Sequence, residues 1–137
     1  MQALVIDTNM VLDLWVFQDP SVAELREALQ CGQWRWLASA AMREELVRVL
    51  AYEHINQCVQ RQGLCAQDVL AQFDARVCLV DSAPKAAITC KDRDDQKFID
   101  LAVTYRAGLL SKDKALLTLK KRLQTLGIAL NPEFKTP

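Results

Sequence analysis

Residues 3–9 read ALVIDTN, an unbroken apolar run that stops at an aspartate, a hydroxyl and an amide. Such a run matches a strand buried on both faces, as in a parallel sheet, because a strand with one wet face would alternate apolar and polar residues. Asp7 therefore stands where a buried strand leaves the sheet. Four further stretches have the same short apolar character: Trp34 to Ala38, Val77 to Val80, Leu109-Leu110-Ser111 and Ile128 to Leu130.

Helical patterns lie between them. One follows from about Met10, and a second starts near Pro20-Ser21 with Val22, Leu25 and Leu29 on one face and Gly32 at its end. Ser39 is placed to cap a helix running to about Tyr52 with the stripe Met42, Leu46, Val49 and Leu50. Ile55 to Arg61 and Ala66 to Asp74 continue the helical material on either side of Gly63. Phe98, Ile99, Ala102 and Val103 mark another helix that Gly108 ends, and Ala115 to Leu126 forms a basic one striped by Leu116, Leu119, Leu123 and Leu126. Residues 83–91, APKAAITCK, lack periodicity and read as a loop, and residues 131–137 read as a frayed end. Apolar strands alternating with amphipathic helices predict one three-layer α/β/α sandwich over residues 1–137 around a mainly parallel sheet of about five strands.

Composition narrows the function classes. No apolar stretch is long enough to span a membrane and no leader pattern opens the chain, so the cytoplasm is the expected location. The five cysteines include no CxxC pair and match no zinc spacing, and they are expected to be reduced and mostly packed. His54 has no partner motif. Seventeen basic and seventeen acidic residues leave a formal net charge of zero, which excludes a strong global field for nucleic acid but allows a local groove.

Ligand crevices of open α/β sheets lie beyond the carboxyl ends of the strands. Asp7 ends the first strand and Asp113 follows the LLS strand, so parallel strands would put both at one edge. At about 100° per residue, Glu45 falls on the buried side of its helix near Met42 and Leu46, whereas Glu44 points to solvent. In KDRDDQKFID, residues 91–100, Asp95 precedes Ile99 by four positions and lies on the apolar face of the first turn, while Asp100 projects away from it. Asp92 or Asp94 can cap that helix or reach into the crevice. Carboxylates gathered in a poorly hydrated place repel one another, and a divalent cation offsets that cost; oxygen ligands without clustered His or Cys suit Mg²⁺ or Mn²⁺.

Asp7-Thr8-Asn9, Glu44-Glu45-Leu46, the segment DRDDQKFIDLA from Asp92 to Ala102 and LLSKDKALL from Leu109 to Leu117 together resemble the PIN-domain family. The likeness is greatest to its branch of toxin components of bacterial toxin-antitoxin systems, the VapC-like ribonucleases. The resemblance implies a small Mg²⁺- or Mn²⁺-dependent endoribonuclease, often a homodimer, held inactive by a cognate antitoxin. It places the family's catalytic and metal-binding acids on Asp7, Glu45, Asp95 and Asp113, accessory acids on Asp92 and Asp94, and small polar residues of the site on Thr8, Asn9 and Ser111. A divalent ion there would activate a water for in-line attack on an RNA phosphodiester. Lys91, Arg93, Lys97, Lys112 and Lys114 are candidates for the rim of a substrate groove. Two rival readings use the same acids: a metal-binding interaction module without cleavage activity, and a phosphatase acting on small phosphoesters.

Overall fold

The structure, a computed structural model, describes residues 2–134. In chain order its elements are β1 (Gln2–Ile6), α1 (Thr8–Trp15), a 3-10 turn (Pro20–Val22), α2 (Ala23–Gln30), β2 (Trp34–Ala38), α3 (Ala40–Leu50), α4 (Glu53–Arg61), α5 (Ala66–Arg76), β3 (Val77–Leu79), α6 (Arg93–Tyr105), β4 (Gly108–Leu110), α7 (Lys114–Leu117) and α8 (Lys120–Thr125). The strands form a parallel four-stranded sheet in the order β3-β2-β1-β4. Helices cover both faces, giving the three-layer sandwich expected from the alternation of apolar runs and amphipathic helices.

β1 lies inside the sheet, and its Leu4, Val5 and Ile6 are all buried, which is why the ALVI run shows no alternation. β3 is an edge strand, and its three residues run from half-buried Val77 to an exposed Leu79. The chain steps from β1 to β2 to β3 in one direction and then returns across the sheet through α6 to β4. Right-handed crossovers put α6 on the face opposite the helices of the first two connections. α6 packs on β1 and β4 there. The strand order consequently reverses between β1 and β4, and their paired ends, Ile6 beside Leu110, open the crevice at the reversal.

Several local expectations change. The fifth strand reduces to a single parallel bridge between Leu109 and Leu130, flanked by hydrogen bonds Leu109 N–H to Ala129 O (2.9 Å) and Asn131 N–H to Leu109 O (2.8 Å). Asn131 turns left-handed (φ 53°) and Pro132 has no N–H to continue a ladder, so pairing stops after one step. The basic helix divides into α7 and α8, and at the break the Thr118 hydroxyl donates back to Ala115 O at 3.1 Å. α6 ends at Arg106, which takes the left-handed cap (φ 52°), rather than at Gly108. Gly108 starts β4, where a Cβ would come within 3.1 Å of Leu4 Cδ2.

Segment 83–91 is a loop with a hidden period of two: Ala86, Ile88 and Cys90 are buried and the residues between them are exposed. Asp100, expected to point away, is instead buried and accepts hydrogen bonds from Ala86 N–H and Gln96 Nε2, both at 2.8 Å. Gln96 Nε2 also donates to Ile88 O (2.9 Å), while its Oε1 accepts from Cys90 N–H (2.6 Å). These side chains fasten the loop along α6 and deliver its end to the crevice. The cysteines are less packed than expected, since only Cys90 is buried while Cys31, Cys65 and Cys78 are exposed. Among the described residues, no helix is long and apolar enough to cross a membrane.

Candidate metal centre

Three backbone turns bring the acids together, and each is also a helix start. Asp7 caps α1, its Oδ1 accepting the Met10 N–H at 2.9 Å. Asp92 caps α6 through the Asp94 N–H at 2.9 Å, and Asp113 caps α7 through the Ala115 N–H at 2.8 Å. Helix starts present unpaired N–H groups and a positive dipole end, which lowers the cost of holding charged carboxylates at close quarters.

Asp92, Asp95 and Asp113 each offer an oxygen, and these oxygens all lie within 4.8 Å of one another. Oxygens on opposite sides of one Mg²⁺-sized ion stand about 4.2 Å apart, twice the usual bond length, so a separation within this limit is on the scale of a single ion's ligands. Asp95 Oδ2 is buried and has no hydrogen-bond partner among the described residues. The Asp95 carboxyl is pushed up to about 7 by burial first, then by repulsion from Asp113, by a hydrogen bond with Asp113 that favours the protonated acid, and by the charges of Asp92 and Asp7. An orphaned buried oxygen among all-oxygen donors fits a hard divalent cation, which would satisfy the atom and reverse the repulsion.

Asp7 and Glu45 stand beside this group under different conditions. Asp7 is buried, and its Oδ2 accepts a hydrogen bond from the Ser111 hydroxyl. Burial raises the Asp7 pKa, the bonds from Ser111 and Met10 work against that rise, and the charges of Asp113 and Glu45 add to it. Glu45 is half-buried on α3, and its Oε2 accepts from the Thr8 hydroxyl at 2.7 Å and lies 3.2 Å from Lys97 Nζ. Glu44 is exposed, as its place on the helix wheel predicts.

The sequence profile of the PIN domain matches residues 3–115. The chain belongs to the PIN-domain family. A chain in the crystal structure of VapBC2 from Rickettsia felis, bound to a DNA fragment from their promoter, shares this fold with a TM-score of 0.62 and 15% identity. The superposition covers 95% of this chain and 98% of the other. No functionally curated protein matches the sequence.

Within this PIN domain the residues singled out from sequence fall into three sets. Asp95 and Asp113 meet, joined by Asp92, which sequence ranked only as an accessory acid. Asp7 and Glu45 flank them with their oxygens already engaged by Ser111, Met10, Thr8 and Lys97. Asp94 and Asn9 are exposed, and Asp94 serves through its backbone, its N–H bonding Asp92 and its carbonyl accepting from Lys97. Of the groove candidates, Lys91, Arg93 and Lys114 are exposed, whereas Lys97 pairs with Glu45 and Lys112 with the buried carboxylate of Asp13.

Asn131 is the residue that sequence reading missed. Its side chain clamps the backbone of Ser111 from both sides, accepting the Ser111 N–H at 2.9 Å and donating to Ser111 O at 2.8 Å. Ser111 is fully buried and in turn holds Asp7 while its Oγ accepts the Asp113 N–H at 3.0 Å. Two acids from opposite ends of the chain are thereby set by one serine and one asparagine. Packing continues to Phe134, whose ring meets Trp34 edge-on at 5.2 Å, so the segment read as frayed is ordered through residue 134, and residues 135–137 lie outside the described residues. An Asn-Pro pair closing an apolar run was the available signal.

Proposed function

We propose that this PIN domain is a divalent-metal-dependent endoribonuclease and the toxin component of a toxin-antitoxin pair, working in the cytoplasm as a homodimer restrained by a cognate antitoxin. The observation that carries the reading is the Asp92, Asp95 and Asp113 cluster, with the unpartnered Asp95 oxygen inside it, at the strand-order reversal. The fold likeness to VapBC2 supports the partner assignment.

Asp92, Asp95 and Asp113 would hold Mg²⁺ or Mn²⁺. Bound there, the ion supplies a Lewis acid that polarises the scissile phosphate. Glu45 is oriented by Thr8 through Oε2, which leaves Oε1 to position the attacking water and take its proton. The new P–O bond forms in line with the departing 3′ oxygen, leaving a 5′-phosphate on the other fragment. Asp7 and Ser111 keep the floor rigid by fixing Asp113 from behind. Lys91, Arg93 and Lys114, exposed beside the acids, offset phosphate charge along the strand.

The test is cleavage of single-stranded and structured RNA with Mn²⁺ by the wild type, Asp95→Asn and Asp7→Asn. Cutting is expected to stop in chelator and to fall by about 100-fold or more in Asp95→Asn. Undiminished cutting in both variants would remove the proposed site from the reaction. Mn²⁺ binding without cleavage of RNA would point to the interaction module, and turnover of small phosphoesters alone to the phosphatase.

A further inference from the structure

Lys97 follows Asp95 by two positions on α6, yet its ammonium does not project to the rim of the crevice. Nζ lies 3.2 Å from Glu45 Oε2, donates to the Asp94 carbonyl and sits 4.9 Å from the centre of the Phe98 ring, with the side chain only 24% exposed. A lysine has three N–H donors and no acceptor. Here the ammonium donates to a carbonyl, pairs with a carboxylate and lies near an aromatic ring, so its charge is engaged at Glu45 rather than held out toward a phosphate.

The five carboxylates thus divide. Asp92, Asp95 and Asp113 face one another, and among the described residues no lysine or arginine pairs with them, while one Asp95 oxygen has no hydrogen-bond partner. Glu45 already has a cation, and Asp7 has a hydrogen-bond donor on each oxygen. Two-ion phosphodiesterases hold their metals about 3.5–4 Å apart, bridged or flanked by shared acids. A second ion that took Glu45 as a ligand would lie at like-charge distance from an ammonium held by its contacts with the Asp94 carbonyl and the Phe98 ring.

We infer that Lys97 is a built-in cation that takes the place of a second metal ion at Glu45, so that the centre accepts a single divalent ion at Asp92, Asp95 and Asp113. The inference rests on the metal-dependent reading above and specifies its stoichiometry. Lys97 acts as a positioning residue: it holds Glu45 against Thr8 and fills the charge site from which a second ion is excluded.

The experiment counts Mn²⁺ per chain by native mass spectrometry and by electron paramagnetic resonance, on wild type, Lys97→Met and Lys97→Arg. Wild type is expected to bind one ion with the spectrum of an isolated Mn²⁺. Lys97→Met, which keeps the apolar stem, should shift to two ions with a spectrum broadened by their coupling, and Lys97→Arg should return to one. Two ions in wild type would overturn the inference while leaving metal-dependent cleavage standing; no ion in wild type would overturn both. A single ion in folded Lys97→Met would also overturn it, and if that variant does not fold, Lys97→Gln carries the same comparison.

Discussion

Replacing Asp95 by asparagine should stabilise the metal-free protein and weaken the metal-loaded one. An aspartate ionises ordinarily near 3.8, and Asp95 holds its proton up to about 7 because of burial and the neighbouring Asp113 charge. Between those values the folded chain binds more protons than the unfolded chain, so stability falls as pH rises through that window and levels off above it. At about 1.4 kcal/mol per pH unit the full penalty at pH 8 is at most roughly 4 kcal/mol, and solvent access to an open crevice reduces it to ~2 kcal/mol. Asparagine keeps a donor toward Asp113 without the charge. Thermal denaturation in chelator at pH 8 should therefore show the variant melting about 8 °C higher, with the gap shrinking to roughly a third at pH 5. In Mn²⁺ at a hundred times its dissociation constant the wild type should gain ~2.7 kcal/mol and the variant little, so the order inverts. A variant less stable than wild type in chelator at pH 8, or a gap that ignores pH, would refute the account of Asp95 as an uncompensated acid.

The same carboxyl makes metal binding proton-linked. Because the ion needs the ionised form and the folded apo site keeps its proton up to about 7, Mn²⁺ affinity should rise by up to about tenfold per pH unit below that value and flatten above pH 8, as read by calorimetry in two buffers of different ionisation heat. At the other end of the site, Asn131→Ala removes both bonds to the Ser111 backbone. It should lower stability by roughly 2–4 kcal/mol in urea denaturation and reduce Mn²⁺ affinity about tenfold through a loosened Ser111 and Asp113. A loss under about 0.5 kcal/mol would show that the clamp is dispensable.

The sequence alone was sufficient where the signal is periodic or tied to a strand end. ALVIDTN reads as a buried strand because two covered faces remove alternation, and β1 is indeed internal to a parallel sheet. The helix wheel separates buried Asp95 and half-buried Glu45 from exposed Glu44 because helical rotation is constant from residue to residue. The strand-end rule puts Asp7 and Asp113 at one edge, and there the Ser111 hydroxyl donates to the Asp7 carboxylate and accepts the Asp113 N–H at 3.0 Å.

Tertiary structure decided what depends on one side chain meeting another from a distant part of the chain. That Asp92 rather than Asp7 completes the three-oxygen cluster follows from how the loop before α6 is fastened by Gln96 and Asp100, whose partners are six to fourteen residues away. That Lys97 neutralises Glu45, and Lys112 the buried Asp13, follows from the packing of α3 and α1 against the ends of other elements. The last strand shrank to a bridge and its asparagine became the brace of the site, because a left-handed turn at Asn131 swings its amide onto Ser111. Periodicity records which face of an element is dry. It carries no information on which polar atom across the gap will use the remaining hydrogen bond, since that is set by distances and angles between elements that only the assembled sheet and its helices determine.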